Sequence, residues 1–270
     1  MARTLVSILD CFAADSPVTT EFRRLLHSIK SLDDSKDLKT ILVTSAILSE
    51  GKSTVCAFLA VTAARRGLKT LVIDCDLHRP TIHKLFAVPR GQGTVELLSE
   101  GLAIKNATQK TDLAKLDIIT AGRASLHPTD LFDARAVGPI LADLKFYYDL
   151  VLIDSPPVIP VSDPMLLAGE VDGVLLVVKA GSTQREVAAR ATEILRSSSN
   201  NLLGVVMNDV NHSLPYYYDY RHYRYQYGST LPDRGSSSGK DKDSSGGSPG
   251  DIKSLSDQHR RPDKGRSISH

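Results

Sequence analysis

Three short stretches carry residue types suited to phosphate chemistry, and a fourth carries an unusual supply of acceptors. The first is Ala46-Ile-Leu-Ser-Glu-Gly51-Lys52-Ser53, which has the spacing of a Walker A loop with Ala in place of the first Gly. A loop that opens a helix presents a nest of backbone N–H groups and the positive helix end to phosphate oxygens. Gly51 lets the backbone come close, Lys52 neutralises the β- and γ-phosphates, and Ser53 offers a hydroxyl to Mg²⁺.

Two further runs end in carboxylates: Leu71-Val-Ile-Asp74-Cys-Asp76 and Leu150-Val-Leu-Ile-Asp154. In an open parallel sheet ligands bind at the carboxyl ends of the strands, so these aspartates belong to the same edge as the phosphate loop, where hard oxygen ligands hold Mg²⁺. Asp163, in Val161-Ser-Asp-Pro, is assigned instead to a helix N-cap. The fourth stretch holds seven of the nine tyrosines in twelve residues: Tyr216, Tyr217, Tyr218, Tyr220, Tyr223, Tyr225 and Tyr227. A triphosphate site followed by a run of phenol hydroxyls is the pairing required for phosphoryl transfer to the chain's own tail.

The elements that must position these groups follow from pattern. Residues 18–32 place Phe22, Leu25, Leu26 and Ile29 on one helical face, after start signals at Pro17 and Thr19 or Thr20. Aliphatic runs at Lys39 to Thr44, Thr70 to Ile73, Leu116 to Thr120, Leu150 to Ile153, Gly173 to Val178 and Gly204 to Met207 read as strands. Helical patterns separate most of them, including one from Ser53 to about Arg66, one over 133–145 and one over 183–196. Continuous aliphatic strands alternating with helices predict an α/β three-layer sandwich of the P-loop NTPase type, a mostly parallel sheet with helices on both faces. The last strand, if parallel, releases the chain at the nucleotide edge. A flexible dozen residues span about 20 Å, so the tyrosines can sample an active site.

Composition sets the limits. The chain of 270 residues is 41% apolar, enough for one core with a tail. From Gly228 to His270 it turns to Ser, Gly, Asp, Lys and Arg, a segment expected to be disordered. The expected organisation is a folded domain over 1–212, a tyrosine cluster over 213–227 and a tail over 228–270. A net charge of +2 without a basic stripe excludes a nucleic-acid partner. Cys11, Cys56 and Cys75 have no metal or redox spacing and read as small buried residues in a reducing compartment. No apolar run reaches the ~20 residues that span a bilayer, and residues 1–14 read as a short helix or docking segment rather than a signal peptide. Both features imply a cytoplasmic protein.

The chain resembles the bacterial tyrosine kinases, the cytoplasmic autokinases of capsule and exopolysaccharide export. The resemblance rests on Ala46 to Ser53, on Val72-Ile-Asp74-Cys-Asp76-Leu-His-Arg-Pro80 as the second (Walker A′) motif, on Leu152-Ile-Asp154-Ser-Pro-Pro157 as Walker B, and on the tyrosine cluster. It implies ATP and Mg²⁺ as cofactors, with Ser49, Glu50, Gly51, Lys52, Ser53 and Thr54 around the phosphates. It makes Lys52 the γ-phosphate lysine, Ser53, Asp76 and Asp154 the direct or water-mediated magnesium ligands, and Asp74 the base that takes the tyrosine proton. It also implies a ring-type homo-oligomer in which each tail enters the next subunit and which dissociates on phosphorylation. A membrane-bound polysaccharide co-polymerase with a cytoplasmic tail would be the activator, recruiting the chain to the inner face of the plasma membrane.

Three departures from the family pattern stand out. His78 replaces the Arg of Asp-x-Asp-x-Arg, so the cation near the phosphates has either moved to Arg79 or become titratable. Leu48-Ser49 replaces Pro-Gly in the loop. The N-terminal Glu-x-x-Arg-x-x-Arg oligomer motif survives at Glu21 and Arg24, with His27 at its end. Two rival classes share the architecture. A positioning ATPase of the partition or division-site kind carries an extra lysine early in the loop, where this chain has Ile47, and lacks a tyrosine tail. A non-catalytic, nucleotide-gated regulator of polysaccharide assembly has no need for Lys52 and the three aspartates.

Overall fold

The structure, a computed structural model, describes residues 7–10, 16–32, 38–123, 129–198 and 201–210. The tyrosine cluster and the segment 228–270 lie outside the described residues, as does Cys11. In chain order the elements are α1 (Pro17–Ser31), β1 (Thr40–Ser45), α2 (Lys52–Arg65), β2 (Thr70–Asp74), α3 (Ile82–Leu85), α4 (Thr94–Glu100), α5 (Ile104–Ala107), β3 (Thr108–Lys110), β4 (Leu116–Ile119), α6 (Ala134–Tyr147), β5 (Leu150–Asp154), α7 (Asp163–Ala168), β6 (Gly173–Lys179), α8 (Arg185–Ser198) and β7 (Leu202–Asn208).

The strands form one sheet in the order β3-β4-β2-β5-β1-β6-β7. All pairings are parallel except the edge pair β3–β4. Alternation along each strand divides the apolar residues between two cores. Leu42, Leu71, Ile73, Val151, Ile153 and Leu176 face α4 to α8. Ile41, Val43, Val72, Leu152, Leu175 and Val177 face α1, α2 and α3. Strands apolar on both faces must be covered on both faces, which gives the expected three layers.

Three packing details bear on function. Helix α2 is buried on most of its circumference because α1 lies across it, with Phe22 stacked on Phe58 at 5.2 Å between ring centroids. Helix α1 is capped by Ser16, whose Oγ accepts from Thr19 N at 3.1 Å. Residues 7–10 form a short turn in which Ile8 donates its N–H to Leu85 O at 2.7 Å and buries its side chain beside α3. Among the described residues no helix is long and apolar enough to cross a membrane.

Candidate nucleotide and phosphotransfer site

The phosphate loop runs from the end of β1 to the first turn of α2. Ser49 and Gly51 both adopt positive φ, 65° and 89°, and these two left-handed residues curl the loop back over the helix start. Gly51 is the N-cap of α2 and supplies no capping side chain, so the first N–H groups of a 14-residue helix are left for a ligand. The loop is braced from three sides. Glu50, 2% exposed, accepts from Ile47 N at 2.7 Å and from the Thr183 hydroxyl. Asn208, the last residue of β7, donates Nδ2 to Glu50 O at 2.9 Å. Beyond Asp154, Val158 N donates to Ser45 O at 2.8 Å. The Glu50 side chain is thus spent on the loop's own shape, and a nucleotide would meet its backbone N–H.

The three aspartates converge as expected from topology. Strands β2 and β5 are neighbours with Asp74 opposite Asp154, and Cys75 N donates to Asp154 O at 2.7 Å. Lys52 Nζ lies 2.7 Å from Asp76 Oδ2 and 3.6 Å from Asp154 Oδ1, and donates to Ser53 Oγ at 3.0 Å. Burial works against the Lys52 charge, but Asp154, Asp76 and Asp74 outweigh it and hold the ammonium above the ordinary lysine range. Asp154 is fully buried, and neither of its carboxylate oxygens has a hydrogen bond of normal geometry among the described residues. Burial pushes its pKa up to about 6, against the pull of Lys52. Asp74 is pushed well up by burial and by Asp154, opposed by the Ile82 N–H. Its Oδ2 accepts from Thr81 N at 3.2 Å and Ile82 N at 3.1 Å, and its Oδ1 from Asp76 N at 3.2 Å.

Beside this cluster lies a cleft of about 260 Å³ lined by Ser49, Gly51, Lys52, Ser53, Thr54, Asp76 and Arg79, with Leu48, Thr81 and Leu85 at its walls. The buried Asp154 carboxylate, without a normal hydrogen bond and next to the Ser53 hydroxyl and the phosphate loop, fits a divalent cation that would take its remaining ligands from phosphate and water. Ser53, Asp76 and Asp154 are the residues that would hold it.

One expectation is corrected by the geometry. Asp163 is not the cap of α7: Ser162 holds that position, Asp163 is the first helical residue, and its buried carboxylate meets His78 Nε2 at 2.9 Å. Glu21 and Arg24 pair with each other at 2.7 Å on the outer face of α1, with side chains 37% and 65% exposed. They line a separate groove with β7 and lie on a different element from the nucleotide cleft. Cys56 and Cys75 are free and buried. Sequence reasoning missed Asn208 and Thr183; the end of a strand beside a phosphate loop was the signal available for Asn208.

Fold and site together define a P-loop NTPase, a fold that binds nucleotide. A family model of the ParA group, described as NUBPL iron-transfer P-loop NTPase, matches residues 38–217. The tyrosine-protein kinase YwqD of Bacillus subtilis is 34% identical over 188 residues, covering 70% of this chain and 79% of the relative. The putative tyrosine-protein kinase CapB of Staphylococcus aureus is 31% identical over 225 residues, covering 81% and 99%. The kinase domain of Escherichia coli tyrosine kinase ETK superposes with a TM-score of 0.72 at 27% identity, covering 77% of this chain and 82% of that one. The cell-division ATPase MinD of Pyrococcus furiosus, at 23% identity and a TM-score of 0.57, shares the fold. The chain belongs to the bacterial tyrosine kinase family within the P-loop NTPases, and its enzyme class is protein-tyrosine kinase.

Proposed function

We propose that the chain is an autokinase that transfers the γ-phosphate of Mg²⁺-bound ATP to tyrosines of its own C-terminal cluster, presented by a neighbouring subunit. The observation that carries this reading is where β7 ends. Asn208 bonds to the phosphate loop itself, so the chain leaves the sheet beside the nucleotide cleft, and Tyr216 follows eight residues later. A tethered acceptor is present at mM effective concentration, so weak sequence recognition suffices.

The chemistry follows from the side chains in place. Lys52 is released from Asp76 and Asp154 to neutralise the transferring phosphoryl group. Ser53, Asp76 and Asp154 would hold the cation, which would supply charge neutralisation to the phosphates. A tyrosine oxygen forms the new P–O bond as the bond to the β-phosphate oxygen breaks and ADP leaves. Asp74 takes the phenol proton; burial raises its proton affinity in the direction a base requires, and three backbone N–H groups fix its orientation.

Glu21 and Arg24 provide the contact for a ring. Each phosphate adds about −1.5 to −2 charges, so accumulated phosphotyrosine reverses the sign of a cluster that holds Arg221 and Arg224 against Asp219, and the ring loosens. The names of the relatives support a role in capsule or exopolysaccharide synthesis, with a membrane-bound co-polymerase bringing the enzyme to the inner face of the membrane. Mapping phosphotyrosine by mass spectrometry after incubation with Mg²⁺ and ATP tests the reading. Signal at residues 216–227 that vanishes in Lys52→Met is expected. A cluster that stays unmodified, in isolation and with membranes of the source cell, refutes it, as would ATP hydrolysis without any phosphotyrosine.

A further inference from the structure

The turn after Asp76 places two adjacent cationic side-chain types at the site, and the structure gives them different partners. His78 directs Nε2 to Asp163 Oδ2 at 2.9 Å; the histidine is one-third exposed and the aspartate fully buried. The bond joins the loop that leaves β2 with Asp76 to the first turn of α7, which follows the loop that leaves β5 after Asp154. Arg79, next in sequence, lines the nucleotide cleft with Lys52, Ser53 and Thr54. Its backbone N–H is fixed on Asp76 Oδ1 at 2.9 Å, while its guanidinium forms no ion pair among the described residues. Lys52, by contrast, is already engaged by two carboxylates. An unpaired guanidinium beside a phosphate loop is suited to bidentate contact with phosphate oxygens.

We propose that Arg79 is a second phosphate-binding residue of this site, and that His78, through Asp163, is the positioning residue that aims it. Within a tight turn, anchoring one side chain on a neighbouring element restricts where the next can point. With His78 held on α7, Arg79 is kept over the cleft; without that anchor, the turn retains only its bonds to Asp74 and Asp76. His78 thus acts as a strut between the turn and α7.

The proposal rests on the nucleotide site described above and is tested by binding, on the full chain, of a fluorescent non-hydrolysable ATP analogue in Mg²⁺. Arg79→Ala is expected to weaken binding about tenfold, the loss of one charge-assisted contact. His78→Ala is expected to weaken it in the same direction, and in that background Arg79→Ala should add nothing further. His78→Gln, which keeps a donor for Asp163, should restore affinity. A merely structural role for His78 would lower the melting temperature without silencing the second substitution. Should His78→Ala fail to fold, His78→Leu keeps bulk without a donor and replaces it in the cycle. Parent-like binding by Arg79→Ala, losses that multiply in the double variant, or no rescue by His78→Gln would each overturn the proposal. Lys52→Met separates the two levels of the argument: if it binds the analogue normally, the nucleotide site itself is misplaced. If it fails to bind while Arg79→Ala binds fully, only the present proposal falls.

Discussion

Replacing Lys52 with methionine does more than remove a phosphate ligand. In the nucleotide-free protein its ammonium is the cation within reach of Asp76 and Asp154, at 2.7 and 3.6 Å, and the three side chains are 12%, 3% and 0% exposed. Methionine fills much of the same space and carries no charge, so the acids remain buried and lose their counter-charge. Removing one partner of a buried pair costs about 3–5 kcal/mol, and slight exposure of Lys52 points to the lower end, about 3 kcal/mol. At roughly 2–4 °C per kcal/mol for a domain of this size, melting should fall by about 6–12 °C. The loss has a definite pH dependence. Asp154, up at about 6 even with Lys52 beside it, binds its proton more tightly when folded than when unfolded. Ionisation of such a group opposes folding, and protonation relieves the strain as pH falls through the folded-state value. Without Lys52 this burden grows, so the gap between variant and parent should be widest near pH 8 and narrow towards pH 5. Thermal unfolding of both proteins in EDTA, without nucleotide, at the two pH values measures it. Equal melting temperatures at pH 8, or a gap that widens on acidification, would refute the reasoning. A kinase-dead control built on Lys52→Met should be assayed well below its own transition.

Other outcomes follow from the same geometry. Gly51→Ala imposes a side chain at φ 89° and sets its Cβ 2.1 Å from Asn208 Nδ2. Left-handed strain of about 1–2 kcal/mol adds to loss of the Asn208–Glu50 hydrogen bond, about 1 kcal/mol, in denaturant melts. In an Asn208→Ala background the clash and the hydrogen bond are both already gone, so Gly51→Ala should then cost only the strain, and strict additivity would contradict this. Asp74→Asn should reduce phosphotransfer at least about a hundredfold while changing ATP affinity little; parallel loss of both would contradict its role as base. Glu21→Ala with Arg24→Ala removes an exposed pair worth under about 1 kcal/mol, so stability should hold while size-exclusion chromatography shifts towards monomer. Unchanged sizing would refute the α1 interface.

The parallel core and the phosphate loop were legible because each writes itself locally: aliphatic runs of four to seven residues, and a glycine-lysine-serine stop between strand and helix. Helices α3, α5 and α7 and strand β3 were not, since three to six residues hold too little periodicity to stand out. Asp163 was read as a cap because Asp before Pro at a helix start has that chemistry. Its actual partner lies 85 residues away, as Asn208 lies 158 residues from Glu50. Bonds of this span are set by how strands stack, and no window along the chain displays them. The convergence of Asp74, Asp76 and Asp154 was readable for the opposite reason, since parallel strands deliver their ends to one edge whatever their order in the chain.

Ile8, hung on the carbonyl of Leu85, gives the segment ahead of α1 a grip on the wall of the nucleotide cleft. The residues before α1 are therefore not a neutral place for a purification handle. Weight added there loads a brace of the pocket, and affinities measured on protein tagged ahead of Ile8 will differ from those of the cleaved chain.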